Sequence, residues 1–164
     1  AIDSCNKRMD EMIANDPIVY DIVDRAFSCG GEISCGCCVF DDLGETVGKM
    51  VTLCADALDD DSEMRKTIIH EETHVLQNCY VSSNITTSDC KKMVFYELEA
   101  YYVEETNLLQ PDFWFLFKQA AHSFCSQDCN TDEILQDLKF YKVWFDIYHS
   151  QFGIFPREGM FNGK

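Results

Sequence analysis

Apolar residues recur at helical spacing through most of this chain and at strand spacing in one short region. Residues 3 to 27 hold two apolar stretches divided at Asp16-Pro17, where a proline fixed at a helical φ can open a second helix near Ile18. The segment CGGEISCGCC then breaks the periodicity. Short strands are predicted at Cys37 to Phe40 and Val47 to Cys54, separated by DDLGE, which has the composition of a turn. Asp56 to Ser62 reads as a polar loop whose end caps the next helix, predicted from Glu63 to Asn78. The loop SSNITTSD closes with a cap at Ser88 or Asp89, and a helix follows from Cys90 to Asn107. Pro111 opens the element DFWFLFKQAAHSF, a last long helix spans Asp132 to Tyr148, and the tail FGIFPREGMFNGK is irregular. No repeat and no low-complexity tract interrupts this order. It predicts a helix-rich α+β fold with a small β-sheet, residues 1–164 forming a single domain.

Size agrees with that architecture, because a chain of 164 residues buries roughly 70% of its unfolded surface. Ten cysteines change the picture more. Cytosolic chains seldom carry so many without a metal cluster, and neither CGCC nor CSQDC has the paired CxxC spacing of a zinc ribbon. Disulfides are the expected use, which makes the domain disulfide-stabilised and its setting secreted or extracellular. No apolar run is long enough for a membrane span, and the start at Ala1 has the form of a mature secreted domain rather than a signal peptide. Asn84-Ile85-Thr86 is a glycosylation sequon.

The formal charge of −16, with eight carboxylates and one lysine between residues 41 and 63, argues against nucleic acid and favours basic partners. A monomer acting on a protein or peptide substrate, basic rather than acidic, fits this balance; no membrane partner is expected.

The segment His70-Glu71-Glu72-Thr73-His74 has the form HExxH. At about 100° per helical residue the two histidines lie about 40° apart, so both imidazoles can hold one zinc ion. Glu71 lies close enough to take a proton from a metal-activated water and pass it to a leaving amine. Met64, Ile68, Ile69, Val75, Leu76, Cys79 and Tyr80 form the core stripe, so the histidines face away from it. Glu72 falls inside the stripe. The competing reading is two surface histidines and a glutamate meeting by chance on an amphipathic helix.

A third ligand is required, and Gln77 stands where HExxHxxGxxH would need glycine. His122 and His149 are distant in the chain. The segment FYELEAYYVEET is a nearer source: helical phase places Glu97 and Glu99 on opposite borders of one apolar arc and does not separate them, and Glu104 is a further carboxylate.

HEETH followed 23 residues later by ELEAY resembles the gluzincin clan of zinc metallopeptidases, a likeness confined to the stretch from the strand before Ser62 through Glu105. Matched on Ala100, the resemblance implies Glu97 as the metal glutamate beside His70 and His74, and a zincin-like domain. The acidic residue usual one place after that alanine is replaced by Tyr101. Tyr101 and His149 are candidates to polarise a carbonyl or stabilise an oxyanion. A bond between Cys79 and Cys90 would tie the two ligand helices together.

The function expected is that of a zinc-dependent endopeptidase with His70, His74 and Glu97 on the metal and Glu71 as general base. The alternatives are a non-catalytic, disulfide-rich binding protein or effector, for which Phe113 to Phe117 supplies a contiguous aromatic surface, and a zinc amidohydrolase acting on a non-peptide amide.

Overall fold

A computed structural model describes residues 1–39, 42–80, 90–124, 136 and 138–157, with only the backbone described at 90, 91 and 121–124. Helices α1 (Ile2–Asn15) and α2 (Pro17–Ser28) meet at Asp16, which caps α2 by accepting from the backbone N–H of Ile18 and Val19. Its second oxygen takes a 2.7 Å bond from Arg65, so one carboxylate both starts a helix and fastens it to another.

Three strands follow: β1 (Glu32–Gly36), β2 (Gly44–Val47) and β3 (Met50–Cys54). The order is β1-β3-β2, with β1 parallel and β2 antiparallel to β3. The first strand therefore precedes the segment predicted at Cys37 to Phe40. Ile33 and Cys35 match Val51 and Leu53 in register, and that pairing places strand geometry before the cysteine run. The strand expected from Val47 to Cys54 is instead the second half of a hairpin, turned at Gly48-Lys49 with Gly48 at φ +64°. Gly44 belongs to a strand and not to a turn. A Cβ there would stand 2.8 Å from Thr67 Cγ2 and 3.1 Å from Glu71 Cγ, so the missing side chain brings β2 close against the next helix.

That helix, α3 (Asp61–Tyr80), begins where Asp60 accepts from Ser62 N–H and contains the whole predicted span, extending it by two residues at each end. The predicted caps Ser88 and Asp89 and the sequon lie outside the described residues. Helix α4 (Cys90–Val103) stops four residues short of Asn107. Glu105 turns left-handed at φ 70°, while Thr106 N–H donates to Tyr101 O and Glu105 N–H to Tyr102 O, closing a Schellman motif without glycine. Pro111 does open α5 (Pro111–Phe124), and α6 (Leu138–Phe152) runs past Tyr148 until Gly153 at φ +101°. The predicted start at Asp132 lies outside the described residues.

One core joins α1, α2, the sheet and the inner face of α3 through Ile22, Leu53, Ile68 and Leu76, with Phe155 of the tail inserted into it. A second joins α4, α5 and α6 through Leu98, Phe117 and Phe145. Helix α3 stands between them. In the aromatic run Phe113, Trp114 and Phe117 pack into the second core, whereas Phe115 and Leu116 are exposed.

Disulfides link Cys5 to Cys35, Cys29 to Cys79 and Cys38 to Cys54. Cys79 is in a disulfide, but not the one with Cys90 that would tie α3 to α4: the end of α2 lies beside the end of α3, and Cys29 occupies the position facing Cys79. The fold is α+β, helix-rich and disulfide-stabilised. Among the described residues no helix is long and apolar enough to cross a membrane.

Candidate metal centre

One helical turn apart on α3, His70 and His74 direct their Nε2 atoms toward a common point, 3.2 Å from each other. Glu97 reaches in from α4, with Oε1 2.7 Å from His70 Nε2 and Oε2 3.1 Å from His74 Nε2. Donors about 2.0–2.1 Å from a tetrahedral ion stand about 3.3 Å apart, and one ligand atom from each of the three residues lies within 4.8 Å of the others. The three residues could hold a metal ion. Of the alternatives left open by helical phase, Glu97 is the carboxylate that meets both histidines, and Glu99 is completely buried behind them.

The outer nitrogen of His74 is held as well, and that of His70 faces a carboxylate. His74 Nδ1–H donates to Gln77 Oε1 at 2.8 Å, and His70 Nδ1 lies 3.6 Å from Glu104 Oε1. An acceptor at Nδ1 keeps the proton there and leaves the Nε2 lone pair free for a metal. Glu104 is fixed by a hydrogen bond from the Thr106 hydroxyl, so the left-handed turn at Glu105 also serves the site.

Burial opposes charge on His70, but the carboxylates of Glu97 and Glu104 outweigh it and raise the imidazole to about 10. His74 is raised likewise, with burial opposing and Glu97 prevailing. Burial would raise Glu97, yet His74 and His70 hold its carboxyl far below the ordinary range. The carboxylate of Glu97 thus favours the charged form of both imidazoles, as it would favour a cation between them.

Glu71 lines the same cleft, its Oε2 accepting from the Thr46 hydroxyl of β2 at 2.6 Å. Glu72 points into the core as its phase indicated: it is 1% exposed, Oε2 has no hydrogen-bond partner among the described residues, and burial followed by the charge of Glu71 pushes it up to about 8, so it is uncharged at neutral pH. The Tyr101 ring stands edge-on to His70 with centroids 4.6 Å apart. Burial, then Glu97 and Glu104, raises its hydroxyl, which therefore stays a donor. His149 is not in the cleft. It is 7% exposed behind α4, bonded to Glu99 and to the Gly153 carbonyl. The side chain of His122 lies outside those described.

The cleft measures about 530 Å³. Strand β2 forms one wall with Gly44, Glu45 and Thr46; Met93, Val94 and Phe117 give the other an apolar surface. Sequence reasoning missed Thr46 and the orienting task of Gln77. Gln77 had a detectable signal, since it lies three residues after His74 and hence on the same helical face. Thr46 had none, because only the fold brings β2 to α3.

No protein-family model, curated protein or solved structure matches this chain.

Proposed function

We propose that this protein is a secreted, zinc-dependent endopeptidase of gluzincin type. The observation that carries the reading is the convergence of His70, His74 and Glu97 on one point in the floor of an open cleft, with the Glu71 carboxylate lining that cleft. Two imidazoles and one carboxylate suit zinc and leave a coordination position for substrate or water. When bound, zinc lowers the pKa of water to about 7 and polarises a carbonyl oxygen.

The chain's own residues divide the remaining work. Glu71 takes the proton of the attacking water on its carboxylate and returns it to the leaving nitrogen, while Thr46 steadies Oε2. Tyr101, protonated and beside His70, offers a donor to the developing oxyanion. Among the described residues strand β2 has one edge without a strand partner and borders the cleft, so an extended peptide can lie along it by backbone pairing. Asp42, Glu45 and Glu104 line the cleft and, among the described residues, no lysine or arginine does, which favours substrates carrying basic side chains.

Secretion is supported by the three disulfides, which persist in oxidising compartments. The decisive experiment is digestion of a peptide library, stopped by a chelator and restored by zinc, alongside metal analysis of the purified protein. Cleavage that Glu71→Gln abolishes while zinc content stays near one per chain supports the reading. Absence of zinc and of cleavage refutes it.

A further inference from the structure

A buried line of hydrogen bonds runs from His74 to the end of the last helix. His74 Nδ1–H donates to Gln77 Oε1 at 2.8 Å. Gln77 Nε2 donates to the Tyr96 carbonyl at 3.0 Å and to Glu99 Oε1 at 2.7 Å. Glu99 Oε2 lies 3.2 Å from His149 Nε2, and His149 Nδ1–H donates to the Gly153 carbonyl at 3.0 Å. Gln77, Glu99 and His149 are 1%, 0% and 7% exposed, so solvent cannot replace a lost partner.

Each orientation is dictated by the next. A backbone carbonyl can only accept, so the Tyr96 oxygen requires the NH₂ end of Gln77 and turns its oxygen toward His74. That oxygen in turn can only accept, which keeps the His74 proton on Nδ1. At the far end the Gly153 carbonyl, which can only accept, takes the His149 Nδ1–H and turns Nε2 toward Glu99 Oε2. The Tyr102 ring stacks on His149 with centroids 5.3 Å apart and holds it in plane. A buried carboxylate and imidazole have no part in the chemistry proposed above, yet they complete this line.

We propose that Gln77, Glu99 and His149 are positioning residues that fix the tautomer and direction of the metal-ligating His74, coupling the metal centre to the turn at Gly153. This rests on the reading of His70, His74 and Glu97 as metal ligands.

The test is titration of the whole protein with Co²⁺ and Zn²⁺, reading affinity and the visible spectrum of the cobalt form. Gln77→Leu and Glu99→Leu are expected to weaken binding about 10- to 100-fold and to alter the cobalt bands. Glu99→Gln is the rescue: its oxygen still accepts from Gln77, its NH₂ can donate to His149 Nε2, and affinity stays within about threefold of wild type. If folded leucine variants bind like wild type with unchanged bands, or if Glu99→Gln is as weak as Glu99→Leu, the proposal is overturned. Should the leucine variants not fold, proton NMR of the zinc-loaded wild type decides: a His74 Nδ1–H protected from exchange is expected, and a rapidly exchanging one overturns the proposal. A wild type that binds neither ion overturns the metal-ligand reading, and the relay with it.

Discussion

Thr46 Oγ1 lies 2.6 Å from Glu71 Oε2 and 3.1 Å from the Glu71 carbonyl, pinning the edge strand of the sheet to the centre of the motif helix. The contact exists because Gly44, two residues earlier, lets β2 approach α3 without a side chain between them. A carboxylate that must accept and release a proton gains from having one oxygen held and the other free.

Thr46→Val should therefore lower turnover about tenfold, equivalent to about 1.4 kcal/mol of transition-state stabilisation, while zinc content stays unchanged. Steady-state kinetics on a peptide identified by library digestion, paired with metal analysis, checks it. A variant with wild-type kcat would show that Glu71 needs no such support.

Asp16 gives a pH-dependent prediction away from the site. Partial burial would raise its carboxyl, but the hydrogen bond from Arg65, with Val19 and Ile18 N–H, holds it below its ordinary value. The folded pKa is depressed, so the stabilisation is complete above the unfolded pKa of about 3.9 and is lost as pH falls through the folded value. Asp16→Ala should cost about 1–2 kcal/mol at pH 7. Asp16→Asn keeps the cap and loses the charge, so its deficit against wild type should shrink from pH 7 to pH 3 in urea titrations.

The left-handed Glu105 offers a gain in stability. A non-glycine residue in this conformation costs roughly 1–2 kcal/mol, and glycine recovers part of it against its larger unfolded entropy. Glu105→Gly should raise stability by about 0.5–1 kcal/mol in urea unfolding, with the Thr106 and Glu104 contacts retained.

Mass mapping of the unreduced protein should find Cys79 bonded to Cys29, not to Cys90. The loop so closed is 50 residues long, and the chain-entropy relation assigns it about 4 kcal/mol. Cys79→Ser should lower the unfolding free energy by about 2–4 kcal/mol; a free thiol at Cys79 in the native protein would contradict the pairing.

These cases show what the sequence made legible. The motif helix could be read because His70, Glu71 and His74 obey a fixed angular spacing, and the apolar stripe fixes which side they leave. Glu97 needed more, since phase alone admits Glu99, and only the packing of α4 on α3 presents one carboxylate to the histidines and the other to Gln77. The left-handed turn at Glu105 was hidden because the residue there is neither glycine nor asparagine. Strand β1 was misplaced because its register depends on β3, some 18 residues away. Disulfide pairing is a property of three-dimensional neighbours, so Cys29 could not be chosen over Cys90 from spacing.

Metal removal provides the most direct check on the centre as a structural unit. Zinc held between α3 and α4 would join a helix of the first core to a helix of the second, so ligand binding and folding are linked. At free zinc about 100 times the dissociation constant, one site adds about 2.7 kcal/mol to the unfolding free energy. Chelation should lower the urea midpoint by a corresponding amount, and restored zinc should reverse it. Glu97→Ala removes the only cross-helix ligand of the triad, so its midpoint should not respond to chelator or zinc, whereas Glu71→Gln should respond like wild type. Equal responses in wild type and Glu97→Ala would place the stabilising ion elsewhere on the protein.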